Sequence, residues 1–173
     1  MQLPLLVDNL MHASHRHRVE RFYGVYKPVE GRLPNGCDPI TPWIAVKQRH
    51  KTPHLDAHLT ALGHQAIDRL PLCTHVQSLI STAECFGCLY VLEGAILGAI
   101  VIDRHVEQKP GVTPATGGRF LNAHGENTDS MWHQFRDAIP AFSLHSDQQA
   151  MVGASALATF ATLHHWCEKG AEQ

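Results

Sequence analysis

The stretch Tyr90-Val-Leu-Glu-Gly94-Ala-Ile-Leu-Gly98 lies in the middle of the longest helix that the sequence predicts, Ser81 to Gln108. Ser81 followed by Glu84 is the pattern of a capping box and predicts where this helix starts. Lys109-Pro110-Gly111 predicts where it ends. A helix of that length spans roughly 40 Å, which is enough to cross a small domain.

Three glycines interrupt this otherwise apolar helix. Nearly every face is apolar from Cys85 to Ile102, so we expect the helix to be buried. Gly87, Gly94 and Gly98 each cost about 1 kcal/mol relative to alanine in a helix interior. Glycines one turn apart remove the side chains from one patch of the helix. We therefore expect either another helix or a large flat ligand to lie against the backbone there.

The composition is that of an ordinary globular chain. A length of 173 residues with 44% apolar content predicts a single domain with its own core. The net charge of −2 gives no basic excess, so nucleic-acid binding is not expected. The apolar run Cys85–Ile102 reaches roughly the length of a membrane span. Glu93 in its middle would cost about 3 kcal/mol in a bilayer, so we interpret the run as a core helix without membrane insertion.

The cysteines indicate a structural role. There are five, an odd number, and no signal peptide is recognisable, which favours a reducing cytoplasm. Cys85-Phe-Gly-Cys88 has the CxxC spacing but sits inside a helical run, whereas a redox CxxC begins a helix after a strand. No second CxxC exists to complete a zinc site.

The rest of the chain also predicts helices, and no run alternates with period two for long enough to require a strand. The predicted fold class is therefore all-α, a single-domain bundle of seven to eight helices. Pro28 predicts a kink or an early end to the second of them, and Gly63 a C-terminal stop. Besides the long helix, the predicted helices are 4–11, 15–33, 43–50, 52–62, 129–139 and 146–169.

Several kinds of active site are excluded by their missing motifs. There is no Glu-x-x-His pair for a carboxylate di-iron site, no HExxH, no P-loop and no Gly-x-Ser-x-Gly. His50, His54 and His58 are four residues apart and could chelate a metal. Pro53 breaks their register and their neighbours look like a solvated surface, so a metal-dependent role is a distant alternative.

Two polar residues of the long helix also have simple structural explanations. Tyr90 could donate its hydroxyl to a backbone carbonyl, and Glu93 could pair with a nearby arginine. The stripes of methionine, tryptophan and phenylalanine on the last two helices are expected to face the core, namely Met131, Trp132, Phe135 and Ile139 on the first and Val152, Phe160, Leu163 and Trp166 on the second.

The segment from Tyr90 to Gly98 resembles the distal-helix motif of the bacterial, biliverdin-producing heme oxygenases. Phe22-Tyr-Gly-Val-Tyr-Lys-Pro-Val-Glu30 resembles the second-helix pattern of that family, and Arg49-His-Lys-Thr-Pro-His-Leu55 the segment that follows. The resemblance covers nearly all of the chain from Leu3 onward. Further matching residues are Phe120, Gly125, Trp132, Phe135, Phe160, Leu163 and Trp166.

The resemblance implies a function. Family members use O2 and electrons from a ferredoxin or reductase to open heme to biliverdin, CO and ferrous iron. Gly94 and Gly98 match the glycines at which the distal backbone approaches the heme and leaves room for O2. Tyr90 matches a tyrosine that bonds a heme propionate in some relatives. The implied ligand is heme, and the implied site residues are Tyr90, Gly94 and Gly98.

This sequence departs from the family pattern in two places. The family's axial histidine precedes a Leu-Pro segment, which here is Leu3-Pro4, so the proximal helix is expected to be missing and the iron ligand is unknown. His12 is a weak fallback, since it falls in the expected turn before the next helix. Ala95 and Ile96 stand where small polar residues are common.

Three explanations follow from the missing ligand: a start assigned too late, a different histidine on iron, or a relative that has given up the chemistry. The alternative function is a non-catalytic helical protein that binds a tetrapyrrole or another small apolar ligand. The sequence indicates no oligomeric state.

Overall fold

Five α-helices make up most of the part of the chain that the computed structural model describes. That part is residues 3–37, 44–106, 127–142 and 146–168. For residues 3–14, 34–37 and 96–106 it describes the backbone but not the side chains. No strand occurs in these ranges, and the all-α prediction is confirmed. The helices are α1 (Leu3–Cys37), α2 (Thr52–Ala61), α3 (Thr82–Val106), α4 (Thr128–Phe142) and α5 (Ser146–Glu168).

The predicted number of seven to eight helices is wrong for the described ranges. The predicted helices 4–11 and 15–33 form the single helix α1. Within the predicted helix 43–50 the structure has only a 3-10 helix, Val46–Arg49, and a second 3-10 helix is Ile67–Arg69. The helix end predicted at 109–111 lies outside the described residues. None of the described helices has the length and apolar character needed to span a membrane.

α1 continues through Pro28, so the predicted early end is wrong, while the predicted kink stays a prediction. Proline has no N–H, which leaves the carbonyl of Gly24, four residues earlier, without its helical donor. The backbone N–H of Cys73 donates to that oxygen at 2.7 Å instead. A connector from elsewhere in the chain thus replaces the hydrogen bond that Pro28 removes.

The core lies between α1, α2, α3 and α4. The helical spacing predicted for the first long segment is confirmed, because the residues at that spacing are buried or pack on the core. This core covers the inner face of α3. Its largest members are Tyr23, Tyr26, Leu33, Leu55, Leu59, Phe86, Leu89 and Phe135.

The first glycine of α3 is explained by helix packing. A Cβ at Gly87 would fall 2.2 Å from the Val152 carbonyl oxygen and 2.9 Å from the Ala156 nitrogen on α5. Real Cβ atoms do not come this close to backbone, so only glycine lets the two helices cross here. Of the two causes that the sequence left open, a neighbouring helix accounts for Gly87.

The face of α5 that meets α3 is small and polar. Ser155 and Thr159 are buried, and Gln77 donates its side-chain amide to both hydroxyls at 3.0 and 2.8 Å. Phe160 is 53% exposed, so the prediction that it faces the core is wrong, whereas Trp166 does pack against the core.

Both local helix signals are confirmed. The Glu84 N–H donates to Ser81 Oγ at 3.2 Å, and the Ser81 N–H donates to Glu84 Oε2 at 2.9 Å, which is the predicted capping box. Burial works against the ionised form of Glu84, but hydrogen bonds from Ile80 and Ser81 outweigh it and lower its pKa. Gly63, just past α2, has a φ of +79°, as a C-terminal stop requires.

Candidate functional site

One face of α3 is open where Tyr90 and Gly94 lie one turn apart. Among the described residues, a Cβ at Gly94 would meet no atom within 4 Å, and Tyr90 is 44% exposed. In that part of the chain no helix packs against Gly94, in contrast to Gly87. Gly98 lies in α3 one turn further on, at the same helical position, and its surroundings are outside the described side chains.

Tyr90 contacts α4 through its ring. The Tyr90 and Trp132 ring centroids are 5.8 Å apart at an angle of 45°, and Trp132 stacks in turn on Phe135 at 6.0 Å. Among the described residues, no backbone carbonyl accepts a hydrogen bond from the Tyr90 hydroxyl. The structural role considered for that hydroxyl is therefore not found in the part of the chain described. The ring pair therefore joins α3 to α4 one turn before Gly94.

Glu93 lies on the buried side of α3, immediately before Gly94. Its carboxylate is 4% exposed overall and pairs with two cations, Arg49 Nη1 to Oε2 at 2.8 Å and Lys51 Nζ to Oε1 at 3.3 Å. The predicted pairing of Glu93 with an arginine is confirmed. Nothing in the sequence indicated that the partner is Arg49, and the second partner, Lys51, was not predicted.

Arg49 also binds α4. Its Nη2 donates to the Met131 carbonyl at 3.0 Å and to Gln134 Oε1 at 3.2 Å. Its guanidinium carbon lies 5.6 Å from the centre of the Phe135 ring. One buried cation therefore joins the 3-10 helix to both α3 and α4.

A second carboxylate completes this buried cluster. Glu30 on α1 accepts hydrogen bonds from the backbone N–H groups of Lys51 and Thr52, the latter at 3.0 Å, and so caps the start of α2. Burial lowers the pKa of Lys51, while the charge of Glu93 acts in the opposite direction. Two cations and two carboxylates thus tie α1, α2, α3 and α4 together behind the open face.

The histidines do not form a three-ligand metal site in the described part of the chain. The solvated surface expected around them at Lys51, Asp56 and Thr60 is wrong for Lys51, which is 1% exposed, whereas Thr60 is exposed. Of the histidines, His54 is exposed and His58 is buried. Its Nε2 lies 3.3 Å from the Nε2 of His15 on α1. His12 also belongs to α1 rather than to a turn, and its side chain is outside the described part.

The two cysteines of the CxxC motif are not bonded to each other. Cys85 is disulfide-bonded, whereas Cys88 is a buried free thiol. Burial raises the pKa of Cys88 to about 11, with a smaller opposing effect from Thr159. A thiol of that pKa is protonated and unreactive near neutral pH, so a dithiol redox centre is not formed here.

Comparison with known proteins gives a single result. A family model described as heme oxygenase matches residues 2–169. The match includes the open face of α3 and the buried cluster behind it. No curated protein and no solved structure matches the chain.

Proposed function

Because the chain belongs to the heme oxygenase family, we propose that it binds heme on the open face of α3 and takes part in its oxidation to biliverdin, CO and ferrous iron. The observation that carries this proposal is the space at Gly94, where a Cβ would meet no atom of the described residues within 4 Å. A porphyrin is flat and apolar, so it can approach a helix backbone closely only where side chains are absent.

The residues around this space suit such a ligand. The rings of Tyr90 and Trp132 pack together one turn before Gly94 and offer aromatic surface to a flat ligand. In the proposal, the backbone at Gly94 and Gly98 contacts the heme face and leaves room for O2, and the Tyr90 hydroxyl donates to a propionate. When bound, heme supplies both the iron that reacts with O2 and the ring that is opened, and a ferredoxin or reductase supplies electrons.

The axial ligand is a separate part of the proposal. The sequence matches no residue to the family's axial histidine, and His12 is the candidate retained. Added imidazole can stand in for an absent axial ligand, because it is the same donor group as a histidine side chain. If hemin binds only when imidazole is added, the chain has a heme site but lacks an axial ligand. If hemin does not bind even with imidazole, the heme site itself is missing.

Hemin titration tests the function. We expect a sharp Soret band at micromolar hemin, either alone or with imidazole, and biliverdin absorbance after a reductase or ascorbate is added. Substituting His12 by Ala should make the band depend on imidazole if His12 binds the iron. No spectral change under either condition would refute heme binding.

Heme binding without any product would favour the alternative, a non-catalytic protein that holds a tetrapyrrole or another apolar ligand on the same face.

The substitution Gly94→Leu tests whether hemin binds at this face, and Gly153→Leu is its control. Gly153 on α5 also has nothing within 4 Å of an added Cβ, but it lies on another helix. Only the Gly94 substitution should reduce hemin binding.

A further inference from the structure

We propose that Arg49 is a positioning residue that sets the spacing between α3 and α4 and thereby the shape of the open face. The inference deepens the proposed function, since that face is the proposed heme site. Arg49 itself is 2% exposed and lies behind the face, so it is not proposed to touch heme.

The contacts of Arg49 lie directly behind the two sides of the face. Nη1 binds Glu93, which precedes Gly94, and Nη2 binds the carbonyl of Met131, which precedes Trp132. The distances are 2.8 and 3.0 Å. The planar guanidinium holds its two terminal nitrogens at a fixed separation, so these bonds fix α3 relative to α4.

Arg49 is itself held in place from the other side. The Glu30 carboxylate accepts hydrogen bonds from the backbone of Lys51 and Thr52, which ties this segment to α1. Lys51 Nζ takes the second oxygen of Glu93 at 3.3 Å, so the carboxylate is held by two cations. The Arg49 guanidinium therefore projects from a segment that is held against α1, and it sets the positions of α3 and α4.

Arg49→Lys is the informative substitution. Lysine keeps the positive charge but is a single point donor, so it can bind Glu93 or the Met131 carbonyl and cannot bridge them as the fork does. The matched control is Arg136→Lys on α4, because Arg136 is exposed and pairs only with the exposed Asp137 among the described residues. Both substitutions change the same residue type in the same way.

Hydrogen exchange, followed by mass spectrometry, tests the positioning without a ligand. We expect Arg49→Lys to speed exchange about tenfold in residues 127–142, where the hydrogen bond to a charged group is lost, and to leave 146–168 unchanged. Arg136→Lys should change neither. Equal acceleration of exchange in α4 and α5 would show a general loss of stability and would overturn the proposal. No acceleration of exchange in either helix would also overturn it.

A second readout uses hemin. Arg49→Lys should shift the Soret band of the complex and alter the ratio of biliverdin isomers, because the face that orients the ring has changed shape. Unaltered spectra and isomer ratio together with faster exchange in α4 would show that Arg49 only stabilises the fold, which overturns the positioning role.

Two further outcomes are separable. A wild-type chain that takes no hemin refutes the proposed function and with it the role of Arg49 in shaping a heme site, while the exchange measurement still tests whether Arg49 holds α4 on α3. If Arg49→Lys does not fold, the variant Arg49→Met removes the guanidinium while Glu93 stays paired with Lys51, so the buried carboxylate keeps a counter-ion. That variant should show the same selective exchange in 127–142, and uniform exchange would refute the proposal.

Discussion

Gly87 of α3 lies against Val152 of α5 so closely that a Cβ at position 87 would be 2.2 Å from the Val152 carbonyl oxygen. About two turns further along the same helix, Gly94 has no such neighbour among the residues that the structure describes. Two glycines that look equivalent in the sequence thus have opposite surroundings. One permits a helix crossing and the other leaves a space.

Gly87→Ala should destabilise the protein by about 2 kcal/mol or more, even though alanine is the better helix former, because the methyl group forces α3 and α5 apart. Urea unfolding measures the change. Gly153→Ala is the control and should be neutral or slightly stabilising, since its Cβ meets nothing within 4 Å. If Gly87→Ala leaves the free energy of unfolding unchanged, α3 and α5 can shift enough to accommodate the methyl group.

Gly94→Leu should abolish or strongly weaken hemin binding while the protein stays folded. The leucine side chain fills the open space, and replacing glycine in a helix gains up to about 1 kcal/mol in propensity. Soret titration and thermal unfolding of the same sample separate the two effects. Loss of folding would instead assign Gly94 to packing, and unchanged hemin affinity would move the ligand away from this face.

Tyr90→Phe should weaken hemin binding about threefold, because it removes one exposed hydrogen bond and keeps the ring against Trp132. Fluorescence quenching by hemin gives the dissociation constant. Tyr90→Ala, which also removes the ring contact, should have the larger effect. If Tyr90→Phe binds hemin as the wild type does, the hydroxyl has no role with a propionate.

Cys88 should make stability fall at alkaline pH. Its pKa is raised from 9.0 to about 11 in the folded state, so the unfolded thiol ionises first. This contribution is fully present below pH 9.0 and is lost as pH rises through about 11. Urea unfolding between these values should show a steeper decline for the wild type than for Cys88→Ala. Parallel curves would contradict the raised pKa.

The features predicted correctly are those set by neighbouring residues. Ser81 with Glu84, and Gly63 after α2, act within one helical turn, so the sequence is sufficient to locate them. The continuity of α1 could not be predicted, because the donor that compensates for Pro28 is Cys73, far along the chain. Local signals describe the ends of helices, whereas tertiary contacts decide whether a helix continues.

The candidate site shows the same division. The glycines of α3 indicated a face without side chains, but only the structure separates Gly87 from Gly94. Phe160 was expected to be buried because it is hydrophobic. The close approach of α5 to Gly87 instead places Ser155 at the contact between α3 and α5. The partner of Glu93 could be named as an arginine, and its identity as Arg49 depends on how three elements pack.

The bond from Cys73 to the Gly24 carbonyl makes α1 dependent on the rest of the chain. A peptide of α1 alone has a gap in its hydrogen bonding at Pro28, because no local N–H reaches that oxygen. The helix can become uniform only after the connector has closed back onto it, so loop closure precedes the final shape of α1 during folding. Although α1 precedes the connector along the chain, its hydrogen bonding is complete only once that connector has docked.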